Sequence, residues 1–187
     1  MRLFIGIDFS NDIKNQIINI RDSVIRRAAK GRWKHIDNFH LTLKFIGETP
    51  VNIIQQVDPL LERICGTQSK FKLKFDRIGQ FPGNNCCRAV WLGVKGQVRE
   101  LFELQNRIEC ELEQLGFEKQ NRKYNPHITL GQDIVFNGKF DDVADSVNLG
   151  NVSDIMVDRI VLFNSEQIAG KRVYTPLKQY LFNGLTI

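Results

Sequence analysis

The sequence carries one short word twice. His40-Leu41-Thr42-Leu43 recurs as His127-Ile128-Thr129-Leu130, 87 residues later. At the same offset Phe4-Ile5-Gly6-Ile7 falls on Trp91-Leu92-Gly93-Val94: aromatic on aromatic, glycine on glycine, aliphatic on aliphatic. Each copy reads as a strand, a helix of similar length and an HxTL strand. Such a chain is expected to form two similar lobes about a pseudo-twofold axis, each presenting one HxTL strand to a shared cleft. Its 187 residues, 42% apolar and 25% charged, suffice for one compact unit, and residues 1–187 are read as a single bilobal domain.

Local patterns fill in the rest. Arg2–Ile7 reads as a buried strand. Ser10 can cap a helix running to about Ala29, with Ile13, Ile17, Ile20, Val24 and Ala28 at helical spacing. Phe39–Ile46 reads as a strand. Thr49-Pro50 reads as a cap and first helical residue, ahead of a helix that Pro59 should kink or interrupt. Lys70–Asp76 alternates as a half-buried strand, Gln80–Cys87 reads as a loop, and Arg88–Val94 as a strand. Gln97–Leu115 is a helix with Val98, Leu101, Phe102, Ile108 and Leu112 inward and Gly116 past its end. Asn125–Leu130, Ile155–Phe163 and Arg172–Phe182 read as strands, and Asn137–Val152 is unpatterned. Several strands follow one another without a crossover helix. The predicted class is therefore α+β, with largely antiparallel sheets and outer helices around a central cleft.

No apolar run approaches the about 20 residues that span a bilayer. The first ten residues carry Asp8 inside too short an apolar stretch for a signal peptide. Cys65, Cys86, Cys87 and Cys110 have no CxxC spacing, so they read as reduced thiols of a cytoplasmic protein, with no membrane partner. Monomer is the default expectation, since no exposed apolar stripe stands out. The net charge is +5, which permits a polyanionic partner without requiring one. Arg26, Arg27, Lys30, Arg32 and Lys34 form one acid-free run; Lys119, Arg122 and Lys123 form a second, and Lys171 and Arg172 a third. Any one run is ordinarily a solvated surface. The first two, however, each lead into a histidine motif.

The chain has three histidines, and two have Thr two places on. Side chains alternate across a strand, so His40 and Thr42 share a face, and so do His127 and Thr129. Two imidazoles make an acid–base pair near neutral pH, one taking a proton while the other gives one. Two hydroxyls and an imidazolium can hold the oxygens of one phosphate. This is equipment for displacement at a phosphodiester, and it calls for no metal or other cofactor. No HxH, HExxH or DxD cluster, P-loop, GxGxxG or serine-hydrolase elbow is present. The residues alone leave open which histidine is acid and which base. His35 reads as an unpaired surface side chain, and Trp33 and Trp91 as core.

With HxTL twice at this separation, the chain resembles the two-histidine (2H) phosphoesterases. Within them it is similar to the RNA 2′,3′-cyclic phosphodiesterases, also called the 2′-5′ RNA ligase family. The likeness runs along most of the chain: Arg2-Leu3-Phe4; Arg32-Trp33; Asn38 to Glu48; Arg88 with Val90-Trp91-Leu92-Gly93; Asn125 to Leu130; Ile160 to Ser165; and Tyr174-Thr175-Pro176-Leu177. It implies a bilobal fold and hydrolysis of RNA or nucleotide 2′,3′-cyclic phosphate ends to 2′-phosphomonoesters. His40 would be the proton donor to the leaving 3′ oxygen, His127 the acceptor that activates water, and Thr42 and Thr129 the phosphate ligands. Arg88 and Phe81 are candidates for substrate contact. Many relatives carry a basic residue after the second HxTL; here Gly131-Gln132 follow, and Arg122, Lys123 or Lys171 are the candidates to replace it. ATP-independent 2′-5′ joining of RNA, and a non-RNA substrate such as an ADP-ribose cyclic phosphate, stand as alternatives. A purely RNA-binding module would leave the paired motifs without a task.

Overall fold

The computed structural model describes residues 1–150 and 152–184. In chain order the elements are β1 (Arg2–Asp8), α1 (Asn11–Ile25), β2 (Ala28–Trp33), β3 (His40–Glu48), α2 (Ile54–Thr67), β4 (Phe71–Pro82), β5 (Cys87–Gly96), α3 (Val98–Gln114), β6 (His127–Phe136), α4 (Phe140–Ser146), β7 (Ile155–Val157), β8 (Arg159–Ile168) and β9 (Lys171–Leu181). They build two sheets, ordered β3-β1-β8-β9 and β2-β6-β5-β4-β7. Every strand pairing among the described residues is antiparallel. The α+β reading holds.

The duplication is larger than the repeated word. Shifted by 87 residues, β1 falls on 89–95 inside β5, α1 on 98–112 inside α3, β3 on 127–135 inside β6, and β4 on 158–169 over β8. The closing strand of each copy sits in the other copy's sheet: β4 beside β5, and β8 beside β1. The two sequence copies therefore cannot part without breaking strand pairs. β1 pairs β3 with Gly6 opposite Thr42, while β5 pairs β6 with Gly93 opposite His127. Relative to the sequence repeat that is a slip of two, an even number, so each motif keeps its face.

One apolar cluster runs through the molecule. It takes Leu3, Ile5 and Ile7 from β1, Ile13, Ile17, Ile20 and Val24 from α1, and Leu101, Leu104, Ile108 and Leu112 from α3. Phe4, between two core residues, points the other way and joins Val161 and Phe163 in a second cluster under Tyr174. Ser10 caps α1 by accepting from the Ile13 amide, as its position predicts.

The structure corrects several local expectations. The first helix stops at Ile25, and residues 28–33 form β2 instead, because pairing with β6 outweighs helical spacing there. Thr49 caps no helix; its amide donates to the Met1 carbonyl, and a 3₁₀ turn, Val51–Ile53, precedes α2. Pro59 does not interrupt α2. It is exposed, so the carbonyl one turn back that loses its partner can turn to water. The 80–87 loop shrinks to a tight turn, since Phe81 pairs Ala89 and Pro82 pairs Cys87. Phe102 is largely outward, its ring edge-on to Tyr124. The 155–163 strand breaks at Asp158 into β7 and β8, which lie in different sheets. A short helix, α4, occupies part of the unpatterned stretch.

Two glycines allow a contrast. A methyl at Gly79 would overlap the Trp91 ring, whereas one at Gly66, in α2, meets nothing within 4 Å. Gly79→Ala is expected to cost about 1–3 kcal/mol through overpacking. Gly66→Ala is expected to add roughly 0.5–1 kcal/mol. Urea denaturation of both variants checks the pair.

Candidate active site

β3 is the edge strand of its sheet, and β6 of the other sheet comes alongside it. Each imidazole stands at the first residue of its strand, and each is held in the same way. His40 Nδ1 lies 2.9 Å from the Asn38 carbonyl and His127 Nδ1 lies 2.7 Å from the Asn125 carbonyl. A carbonyl only accepts, so both rings carry hydrogen on Nδ1 and present Nε2. Asn38 and Asn125 are themselves 87 residues apart. The repeated word is thus Asn-x-His-x-Thr-Leu, and its first residue orients the ring. That asparagine match was the available signal for these anchors.

Each ring also has an aromatic bed, again by symmetry. His40 lies 4.7 Å from the Phe4 ring, and His127 lies 6.1 Å from Trp91, the residue that replaces Phe4 in the second copy. Tyr174 stands edge-on to His40 at 4.9 Å, and Phe81 edge-on to His127 at 5.1 Å. Gly6 makes room for the first ring: a methyl there would sit 2.9 Å from the Leu41 carbonyl and 3.5 Å from His40 Cδ2. Trp91 is core, as expected, but Trp33 is only half-buried.

Burial by these walls sets the protonation. It pushes the His40 imidazole down to about 4, with the Asn38 carbonyl opposing and the charges of Lys34 and His127 adding to the depression. Burial also lowers His127, against the pull of the Asn125 carbonyl. Both rings are therefore neutral at pH 7. With Nδ1 committed, His40 Nε2 accepts from the Thr42 hydroxyl at 3.0 Å. Thr42 is held from behind, its carbonyl accepting the Tyr124 hydroxyl at 2.9 Å. Thr129 follows His127 by two along β6, half-buried and opposite Trp91.

Strict alternation would place Lys44 beside His40 and Thr42. A bulge between the Ile5 and Gly6 pairings prevents this. Lys44 turns inward to Glu109 of α3, at 2.5 Å, and to the Glu118 carbonyl, while Phe45 reaches the Phe4 side. The same bulge lies in β6, between the Trp91 and Val90 pairings. There Gly131 takes the place of Lys44, because a side chain would strike Trp33 and Ile134. The chain's departure after the second motif thus has a packing cause: β2 occupies that space.

Of the substrate-contact candidates, Phe81 packs against His127 and Arg88 packs on Phe81. The Arg88 guanidinium lies 5.8 Å over the Phe81 ring, which abuts His127. Arg122 and Lys123 are exposed in the loop before Tyr124. His35 is not unpaired: its Nδ1 lies 3.1 Å from Asp37. Lys171 instead joins Lys34 and Arg172 along a cavity of about 780 Å³ beside His40. Among the described residues, no three His, Cys, Asp or Glu side chains gather where they could hold a metal ion.

A family model described as the 2′-5′ RNA ligase superfamily matches residues 13–167. The chain belongs to this superfamily. Similar superfamily members include the RNA 2′,3′-cyclic phosphodiesterase of Escherichia coli K12, 33% identical over 96% of this chain and 95% of that protein. The protein of the same name from Thermotoga maritima is 29% identical over 98% of this chain and 97% of its own. Among solved structures, E. coli LigT complexed with 3′-AMP superposes with a TM-score of 0.81 at 32% identity, covering 97% of each chain.

Proposed function

We propose that this protein hydrolyses 2′,3′-cyclic phosphate ends of RNA to 2′-phosphomonoesters without a metal. The observation that carries the reading is the matched pair of imidazoles, each with Nδ1 tied to a carbonyl two residues back, which leaves Nε2 as the nitrogen for proton transfer. His127 Nε2 takes a proton from water, and the water oxygen attacks phosphorus. The bond from phosphorus to O3′ breaks, and O3′ takes its proton from His40 Nε2. Thr42 and Thr129 donate hydrogen bonds to the non-bridging oxygens. Solvent then returns the proton from His127 to His40. The family match supports a second reading, in which an RNA 5′-hydroxyl replaces water and a 2′-5′ linkage forms. In dilute solution the excess of water favours cleavage. Four unpaired cysteines fit the reducing cytoplasm.

The pH dependence has a definite sign. The free enzyme must hold one proton on the pair, and both imidazoles are depressed by burial. kcat/KM should therefore fall as pH rises through the region below the ordinary histidine value of about 6.5. A bound phosphate anion favours imidazolium and raises both groups. The profile of kcat should thus lie at higher pH than that of kcat/KM, both limbs belonging to the coupled pair. Rates on a cyclic-phosphate RNA between pH 4 and 9 test this, and superimposed profiles would contradict it.

A further inference from the structure

The cavity beside His40 has a lining the catalytic step does not use. β2 supplies Trp33, β6 supplies Gln132, β9 supplies Lys171, Arg172 and Tyr174, and Lys34 follows β2. Lys34 is pinned between the two halves of the site. Its amide donates to the Leu130 carbonyl of the second motif, its carbonyl accepts from Arg21 Nη1, and its ammonium lies 5.7 Å over the Tyr174 ring that abuts His40. The Asn38 side chain, whose backbone holds His40, donates to the Arg172 carbonyl at 2.8 Å. The cavity wall is therefore continuous with the imidazole's own anchors.

Its charge is unbalanced. Asp37, itself in the lining, faces His35, and Asp133 is engaged by Arg32. Among the described residues no carboxylate pairs with Lys34, Lys171 or Arg172. Burial and the neighbouring cations Arg32 and Arg172 lower the Lys34 ammonium. The lining sets Lys34, Lys171 and Arg172, none of them ion-paired, beside Arg21 and Arg32 and against the one carboxylate Asp37; this cationic excess, with an indole and a phenol, matches a phosphodiester carrying a base.

We infer that this cavity binds the nucleotide immediately 5′ of the cyclic-phosphate end, so that the enzyme prefers an oligonucleotide end to a cyclic mononucleotide. The inference rests on the proposed reaction. In-line displacement puts the leaving O3′, and hence the ribose, on the side of His40. The 5′ oxygen of that ribose leads away from phosphorus towards the cavity. Lys34, Lys171 and Arg172 then meet the next phosphodiester, and Trp33 or Tyr174 offers a face to the next base.

The test compares kcat/KM for adenosine 2′,3′-cyclic phosphate with that for a trinucleotide ending in the same group. It uses the wild-type protein, Lys34→Gln and the double variant Lys171→Gln/Arg172→Gln. The wild-type preference for the trinucleotide should be about tenfold or more, the scale of one stacked base together with its neutralised phosphate. Both variants should bring that ratio towards one. The double variant should also flatten the dependence of log(kcat/KM) on log[salt] by about 0.7 for each phosphate charge it no longer neutralises. A wild-type ratio near one, or a ratio unchanged in both variants, overturns the inference and leaves the catalytic reading standing. Turnover of neither substrate by folded wild-type protein overturns both.

Discussion

Replacing His127 by alanine is expected to lower kcat on a cyclic-phosphate RNA end by about 10²–10⁴-fold, the usual worth of one positioned proton-transfer group. The fold should survive. His127 is half-exposed, and its Nδ1 bond is to the carbonyl of exposed Asn125, which water can take over. His40→Ala should lose as much activity for a different mix of reasons. That ring is wedged among Phe4, Phe163 and Tyr174, so its removal also opens a hole against the aromatic cluster. His40→Gln keeps most of the volume and separates the two effects: activity stays lost while stability largely returns. Single-turnover rates beside thermal melts read both quantities. Imidazole added to the solution should restore more activity to His127→Ala than to His40→Ala, because the second site is the more open. Near-wild-type rates in both alanine variants would remove the acid–base assignment.

The largest effect on stability is expected at a pair that touches no substrate. Lys44 and Glu109 are 1% and 5% exposed and lie 2.5 Å apart, joining β3 of the first copy to α3 of the second. Gln105 extends the link, donating to Glu109 and to the Leu43 carbonyl, and the Glu118 carbonyl accepts from Lys44. Glu109→Ala would leave a buried ammonium with one carbonyl for company, at a cost of about 3–5 kcal/mol. The double variant Lys44→Met/Glu109→Leu should recover most of that loss, since it removes both charges and keeps the volume. Denaturant unfolding of the two single variants and the double closes the cycle. A double variant as unstable as the sum of the singles would show that the pair's charges are not what holds β3 and α3 together.

The central chemistry was legible because it sits in a repeated word, and repetition in a fixed register is hard to produce by chance. The paired motifs, the matching glycines and the aromatic at Phe4 and Trp91 all landed where the offset put them. Less legible was anything decided by pairing across the chain. Ala28 continues the helical spacing of α1, yet it opens β2 because β6 offers residues 28–33 an edge. Lys44 should share a face with His40 by simple alternation, and one bulge sends it to the core instead. Arg122 and Lys123 stand close to the second motif in sequence and are exposed in the loop before it. Lys171, distant in sequence, lines the cavity beside His40 because β9 folds back along β8.

Metal-free acid–base catalysis by the two imidazoles is tested most directly by the fate of a short RNA ending in a 2′,3′-cyclic phosphate. The RNA is incubated with the purified protein in excess EDTA, beside the His127→Ala variant. The expected result is a 2′-phosphate from the wild type and almost none from the variant. A 3′-phosphate, or turnover that disappears with the chelator, would contradict the mechanism.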